Sequence, residues 1–167
     1  MIVVRTIESF LPNVTGPATQ SFQLSSALAR LGVRSPICTA RLDVPASCPA
    51  SQRMGEVEVF RLPTPLHLGR YAPTPSLVAH LRGADLVHSH NLRNAQSDLA
   101  ALWAASKGVP WVVHAHGGLA GFRSHELSRA ALAVGSFLDT HPTRRTFTTP
   151  NSPRRVAGAW LPHAPAR

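Results

Sequence analysis

Two histidine pairs are the clearest candidates for chemistry in this sequence. The segments DLVHSHN and PWVVHAHGG each end an apolar run with a His-X-His pair, His88/His90 in the first and His114/His116 in the second. Because alternate residues of a strand point to the same face, each pair lies on one face of its strand. An imidazole there can accept or donate a proton near neutral pH. His90 and His116 come last in their strands, so we predict that they face a crevice, whereas His88 and His114 are expected to be structural.

The paired histidines also fit the geometry that a metal ion needs. Zinc takes three or four such ligands and an ordered set of groups behind them. The acids nearest to the pairs in the sequence are Asp85 and Asp98. A metal-dependent hydrolase that uses the His-X-His pairs is therefore kept as the lower alternative. The favoured prediction assigns no metal ligand to the site.

A third candidate is the turn after the first predicted strand. This turn reads NVTGPATQ, with Gly16 and Pro17 at the start of a helical pattern. Proline is tolerated in a first helical turn, because its missing N–H would have no partner within the helix. The free N–H groups and the positive dipole end of such a helix favour an anion. An anionic ligand is therefore expected at this turn.

Several common enzyme classes are disfavoured by the sequence. The first turn has one glycine rather than G-x-G-x-x-G, and no acidic residue ends the second predicted strand, so a dehydrogenase is not expected. Neither a Walker lysine motif nor a G-x-S-x-G elbow occurs. We predict no bound cofactor.

Composition and charge favour one globular domain without a nucleic-acid partner. The chain has 167 residues, of which 44% are hydrophobic and 15% charged. The formal charge is +9, but five of the 17 basic residues follow Asp139, the last acidic residue. The other 12 basic residues face 8 acidic ones and form no run. A basic nucleic-acid-binding face is therefore not expected.

Cysteine content and apolar runs bear on the compartment. Cys38 and Cys48 are too few for a disulfide framework or a zinc-finger spacing. The sequence shows no secretory h-region and no apolar run of about 20 residues. We expect a cytoplasmic protein, and contact with a membrane surface stays open.

Hydrophobic periodicity predicts an α/β fold. The predicted strands are Ile2–Thr6, Val33–Thr39, Glu56–Leu62, Asp85–His90 and Val109–His116. The predicted helices are Ala18–Leu31, Ser76–Arg82, Asn94–Lys107 and Phe122–Leu138. Arg41–Arg53 and Pro63–Pro75 are expected to be loops, and Pro36 favours an edge position or a bulge for the second strand. The order of elements predicts a Rossmann-like, doubly wound, mostly parallel sheet within residues 1–140.

Helical spacing also predicts which positions face the core. In the first helix these are Phe22, Ser25 or Ser26, Leu28 and Leu31. In the helix at Asn94–Lys107 they are Leu99, Leu102, Trp103 and Ser106.

The segment 141–167 does not fit this pattern. It has five prolines, no acidic residue and no apolar period, so no regular structure is expected in it. It is interpreted either as a disordered basic extension or as a segment outside the coding frame. The abrupt change near His141 favours the second interpretation.

Three segments together resemble the N-terminal domain of a GT-B-fold glycosyltransferase of family 4. FLPNVTGPATQSFQLSSALARLG is similar to that family's P-x-x-G-G-P-A loop and first helix. ADLVHSHN is similar to its D-x-V-H-x-H strand, and GVPWVVHAHGG to its P-x-V-x-x-x-H-G strand. The three segments occur in the family's order between about residues 1 and 139.

The resemblance implies a two-domain enzyme that transfers a hexosyl group from a nucleotide sugar with retention and without a metal. The C-terminal domain of such enzymes holds the donor, and the N-terminal domain binds the acceptor. Thr15 and Gly16 match the glycine loop against the donor phosphates, and Gly117 is placed with them. His116 matches the histidine by the donor sugar and reactive centre. His90 and Asn91 are assigned to the acceptor side.

Departures from the family's pattern define the alternatives. Thr15 stands where the first glycine is expected, and the G-H-x-V segment reads Gly32-Val33-Arg34-Ser35. A donor-binding domain does not follow within the sequence. We therefore expect a truncated glycosyltransferase that is inactive alone and needs a C-terminal domain or partner subunit. The alternative is a non-catalytic binding module that uses the same crevice.

Overall fold

A computed structural model describes residues 1–66, 71–116 and 145–148 of the chain. The described strands, in chain order, are β1 (Val3–Ile7), β2 (Ile37–Ala40), β3 (Ser51–Met54), β4 (Val57–Leu62), β5 (Leu86–His90), β6 (Trp111–His114) and β7 (Arg145–Thr148). The described helices are α1 (Gly16–Arg30), α2 (Leu77–Leu81) and α3 (Ala95–Lys107).

The strands form one sheet in the order β3-β4-β2-β1-β5-β6-β7. The pairs β1–β2, β1–β5, β2–β4, β5–β6 and β6–β7 are parallel, whereas β3 runs antiparallel to β4. Strand order thus turns outward in both directions from β1, as in a doubly wound sheet. The predicted Rossmann-like α/β class is confirmed.

Helices cover the sheet because its strands carry apolar side chains on both faces. Ile7, Ile37, Val57 and Val59 are buried in one cluster with Ala18 of α1. A second cluster lies beneath α2 and α3, and its buried members are Val4, Cys38, Leu62, Leu77, Leu81, Ala84, Val87 and Ala100. Val4 and Ile7 lie in different clusters, as the alternation of a strand between its two faces requires.

Local sequence signals fix the start of both longer helices and the end of α3. Thr15 caps α1, because its side chain accepts a hydrogen bond from the N–H of Ala18. Asn94 caps α3 in the same way through the N–H of Ser97. Gly108 ends α3 with φ +67°, in the left-handed region that glycine adopts without a Cβ clash.

Two predictions about the first half of the sheet are wrong. The predicted loop Arg41–Arg53 contains the start of β3, whose polar residues become a strand by pairing with β4. The second strand is also not at an edge, because β2 lies between β1 and β4. Pro36 precedes β2, so its missing N–H interrupts no ladder, and its carbonyl accepts from the N–H of Arg5.

The predicted inward stripes of the two long helices are wrong at Leu31, Leu102 and Ser106, of which Ser106 is exposed. Leu31, expected to face the core, follows α1 and is 77% exposed, and Leu102 of α3 is 45% exposed. The most buried residues of the helices are small or polar: Ala18, Ser21 and Ser25 in α1, and Ala95, Gln96, Ser97, Ala100, Ala101 and Ala104 in α3. Small side chains allow the helix backbone to lie close to the sheet.

The tail contains regular structure where none was predicted. Arg145–Thr148 forms β7, which pairs in parallel with β6 between Trp111↔Arg145 and His114↔Thr148. The predicted helix Phe122–Leu138 lies outside the described residues. The domain boundary at residue 140 stays a prediction.

The described helices include none that is both long enough and apolar enough to span a bilayer.

Candidate functional site

The four histidines of the two pairs meet at the carboxyl ends of β5 and β6. These strands are parallel neighbours whose register places His88 beside Val112 and His90 beside His114. His116 follows β6 by two residues, and its ring stacks on that of His114 with centroids 4.2 Å apart. The rings of His88 and His90 stack at 4.6 Å, and those of His90 and His116 at 5.2 Å. The four side chains thus form one continuous group, called the histidine cluster below.

Arg5 extends the histidine cluster onto β1. The register pairs Arg5 with His88, and the Arg5 side chain is almost fully buried. Its Nη1 donates to Nδ1 of His88 and lies 3.4 Å from Nε2 of His90. On the other side of that ring, Nδ1 of His90 lies 3.0 Å from Nε2 of His116. Contacts therefore run from β1 through β5 to the residue beyond β6.

Burial keeps the imidazoles of the histidine cluster uncharged at neutral pH. It lowers the pKa of His88 to about 3 and that of His90 to about 2, with further lowering by the positive charges of neighbours that include Arg5. Burial, followed by the charge of His114, lowers the pKa of His116 to about 4. The pKa of His114 is lowered by burial and then by Arg5. Desolvation penalises the charged form of each ring, so each acts as a neutral donor and acceptor.

The exposures of the four rings differ in part from expectation. His114 is 7% exposed, in keeping with the predicted structural residue. His90 was expected to face a crevice, but its side chain is 0% exposed because Arg5 and His116 enclose it. His88 and His116 are half-buried. His116 therefore offers accessible surface that His90 lacks, and the catalytic role of His116 stays a prediction.

The turn after β5 links the two strand ends through the backbone of Asn91. Its N–H donates to the carbonyl of His114 over 2.9 Å, and its own carbonyl accepts from Asn94 Nδ2 and from Ser97 Oγ. Asn91 has φ +66°, which asparagine tolerates better than most residues. This turn fixes the end of β5 next to the end of β6. The predicted acceptor-side role of Asn91 stays a prediction.

The glycine turn lies at the same edge of the sheet, after β1. Thr15 is half-buried, and Gly16 is exposed as the first residue of α1. A Cβ built on Gly16 would meet no atom within 4 Å, so the space there is open. Within the first turn, Pro17 has no N–H and that of Ala18 is used by Thr15 Oγ1. The start of α1 therefore offers fewer free N–H groups than an ordinary helix. Gly117, the third residue placed against the donor, lies outside the described residues.

Sequence reasoning did not identify Arg5 as part of the site. A signal was present, because arginine interrupts the apolar run IVVRTI and fully buried arginines are rare unless they are paired. The partner lies 83 positions away at His88, however, and the order of the strands is needed to bring the two together.

Three of the four histidines have the mutual distances of a metal-binding group. One ring nitrogen from each of His90, His114 and His116 lies within 4.8 Å of the nitrogens offered by the other two. Imidazole nitrogens are common ligands of zinc and copper.

The fold and the site define the class of the protein. A doubly wound α/β sheet with polar groups at the carboxyl ends of its central strands has the Rossmann-like architecture in which ligands bind at that edge. The sequence model of the glycosyl transferase 4-like domain matches residues 15–166, which is most of the chain. The chain therefore belongs to the glycosyl transferase 4-like family, and this membership indicates glycosyl transfer and sugar-related substrates in general. No curated protein matches the chain.

Proposed function

We propose that this chain forms the acceptor side of a retaining, nucleotide-sugar-dependent glycosyltransferase of the GT-B type. The family match over residues 15–166 carries the proposal. Transfer requires a donor-binding domain, either joined to this chain or separate from it. The chain by itself is proposed to be inactive, since in such a two-domain enzyme the other domain would hold the donor.

His116 is the proposed residue at the reactive centre. It is half-buried at the carboxyl edge of the sheet, and its ring is uncharged at neutral pH, with its pKa lowered to about 4 by burial and by the charge of His114. Nε2 faces His90, and among the described contacts Nδ1 of His116 has no partner. A neutral imidazole held in this way can orient a sugar hydroxyl by a hydrogen bond. His90 and Arg5 then act as positioning residues beneath it.

The start of α1 is the proposed contact for the donor phosphates. Gly16 is exposed with open space around it, so a phosphate can approach its backbone. Since Pro17 has no N–H and Thr15 occupies that of Ala18, this turn supplies little of the binding. The proposal therefore assigns most of the donor affinity to the other domain.

Reconstitution tests the proposal. The purified chain is incubated with a panel of uridine and guanosine diphosphate sugars and candidate acceptors, alone and fused to the donor-side domain of another family member. We expect no transfer by the chain alone and measurable transfer by the fusion. His116→Ala should lower the fusion's transfer rate by about 100-fold or more, as expected for a group that hydrogen-bonds or exchanges a proton at the reactive centre.

His80→Ala is the matched control. His80 is half-buried in α2, its ring is tilted against that of Phe60, and it lies outside the histidine cluster. This variant should keep the rate of the fusion. Transfer by the 167-residue chain alone would contradict the proposed need for a donor domain. An inactive fusion that still binds a sugar acceptor would instead favour the non-catalytic binding module.

A further inference from the structure

The histidine cluster contains nitrogens that the fold leaves unused. His114 is 7% exposed, and its Nε2 is buried without a hydrogen-bond partner. A buried polar atom without a partner carries a desolvation cost that a ligand can remove. His114 also belongs to the three-histidine group whose nitrogens lie within 4.8 Å of one another. The residue that carries the unused nitrogen therefore belongs to the one three-histidine grouping found among the described residues.

The separation of two of these nitrogens suits a single ion. Two nitrogens bound to one tetrahedral zinc, each at about 2.0–2.1 Å, are roughly 3.3 Å apart. Nδ1 of His90 and Nε2 of His116 are 3.0 Å apart before any ion is bound. The χ2 torsion of histidine is broad, so the stacked rings can turn their lone pairs toward a common point.

We propose that His90, His114 and His116 form a binding site for a divalent transition metal, with zinc as the reference ion. Three imidazoles without a carboxylate suit zinc, copper or nickel rather than magnesium or calcium. Three protein ligands leave a fourth position open to water or another ligand.

Arg5 works against this site and so provides a diagnostic for it. Its guanidinium lies 3.4 Å from Nε2 of His90, on the side of the ring away from His116. If His90 binds the metal through Nδ1, its proton must lie on Nε2. That N–H then faces the N–H of Arg5, and Nε2 can no longer accept a hydrogen bond from Arg5. Arg5 therefore opposes the metal both by its charge and by the tautomer that it favours. Removing the charge should strengthen metal binding.

Metal binding can be measured without glycosyl transfer. The full chain, freed of metals with a chelator, is titrated with zinc chloride near neutral pH and the bound zinc is counted by equilibrium dialysis. Cobalt(II) added in place of zinc reports nitrogen ligands and a low coordination number by intense visible bands. We expect one tight equivalent of zinc and such a cobalt spectrum. These results would hold whether or not the proposed transferase function is correct.

Single substitutions locate the site. His114→Ala and His90→Ala should each lower the affinity for zinc by more than about 100-fold. That is beyond the roughly 10–100-fold expected for a residue that only contacts a ligand of the metal. His80→Ala should leave it unchanged. Arg5→Gln should bind zinc more tightly, by about tenfold or more for the removal of a nearby buried charge. Circular dichroism verifies that each variant is folded.

Two results would overturn the proposal. One is that the wild-type chain binds zinc no more tightly than either His90→Ala or His114→Ala does. Any binding would then come from other histidines. The other is a folded Arg5→Gln variant with unchanged or weaker affinity. Misfolding cannot imitate the expected result for Arg5→Gln, since it would weaken binding rather than strengthen it.

Discussion

Nδ1 of His90 and Nε2 of His116 lie 3.0 Å apart, so a fully buried ring at the end of β5 holds a half-buried ring beyond the end of β6. The buried ring is in turn in contact with Arg5 of β1. The orientation of His116 therefore depends on three adjacent strands. Neither of the two side chains behind it has appreciable exposed surface, since Arg5 is 2% and His90 0% exposed.

Deleting the His90 side chain should be strongly destabilising. His90→Ala removes a fully buried ring and leaves its polar neighbours Arg5 and His116 without that contact. We expect a loss of about 2–4 kcal/mol in the free energy of unfolding, from the cavity together with the unpaired groups. Urea denaturation of the metal-free chain measures it. His80→Ala, at a half-buried ring in α2, should cost less than about 1 kcal/mol. Equal losses in the two variants would show that the central contact adds no stability.

Arg61 is a second residue that we expect to contribute strongly to the free energy of unfolding. Its side chain is 3% exposed, and its guanidinium donates to the carbonyls of Leu11 and Pro49, with the shortest contact, Nη2 to Leu11, at 2.8 Å. It thus anchors two loops to β4, including the one that leads to Thr15. Arg61→Met should lower the free energy of unfolding by about 2–4 kcal/mol, because the carbonyls of Leu11 and Pro49 lose their charged donor.

Arg34→Met is the matched control for that prediction. Arg34 pairs with Glu58 at 2.7 Å, but its side chain is 59% exposed. An exposed ion pair contributes about 1 kcal/mol or less, so the control should be nearly neutral in urea denaturation. Hydrogen exchange in residues 9–15 should accelerate in Arg61→Met and stay unchanged in Arg34→Met. A comparable loss of stability in both variants would contradict the anchoring role.

The sequence was sufficient for most of the fold because the signals involved are local. The apolar runs of β1 and β5 and the cap residue and terminal glycine of α3 act within a few positions of themselves, and they place these elements to within a residue or two. β3 could not be found in this way. Its residues SQRM are exposed or half-buried, and they form a strand only because the edge of β4 is free to pair.

The arrangement of the candidate site needed the strand order as well. That His88 and His90 share a face follows from the period of a strand, and the structure confirms the stacked pair. The complete burial of His90 depends on Arg5 and His116, which come from other parts of the chain. The prediction of which helix positions face the core was wrong for a related reason. Apolarity pointed to Leu102, whereas close packing of α3 on the sheet selects Ala100 and Ala104.

The two helix caps should differ in how much they stabilise the fold. Thr15 makes one side-chain hydrogen bond, to the N–H of Ala18, at a half-buried position. Asn94 is 1% exposed; it accepts from the N–H of Ser97 at 2.8 Å and donates to the carbonyls of His90 and Asn91. Thr15→Ala should cost about 1 kcal/mol, as is typical of a lost N-cap. Asn94→Ala should cost about 2–3 kcal/mol, because two further hydrogen bonds are lost with the cap.

Thermal or urea denaturation of the two alanine variants tests this order. Thr15→Gly adds a functional comparison, since glycine retains most of the N-cap stability, with a loss of only a few tenths of a kcal/mol. The glycine frees the N–H of Ala18 for a ligand. If the start of α1 contacts donor phosphates, Thr15→Gly should improve nucleotide-sugar use by the reconstituted fusion. A larger stability loss for Thr15→Ala than for Asn94→Ala would contradict the assignment of the stronger cap to α3.

Tyr71 is the single tyrosine of the chain, so its ionisation can be followed directly. Its hydroxyl donates to Oδ2 of Asp98 over 3.0 Å. Burial, followed by the charge of Asp98 and this hydrogen bond, raises the pKa of Tyr71 to about 12. Ultraviolet absorbance of the folded chain should therefore show tyrosinate formation well above the ordinary pKa of about 10. Asp98→Asn removes the charge but not the burial, so its midpoint should fall between these two values.

The same shift makes a prediction about alkaline stability. Because the pKa is higher in the folded chain, the unfolded chain releases the tyrosine proton first as the pH rises. The raised pKa of Tyr71 therefore stabilises the fold fully below about pH 10, which is the pKa of tyrosine in the unfolded chain. That contribution is lost as the pH rises toward about 12, the pKa in the folded chain. Tyr71→Phe should flatten the decline of the urea midpoint over this range. A wild-type titration centred on the ordinary pKa, or one unchanged in Asp98→Asn, would rule out the Tyr71–Asp98 contact as its cause.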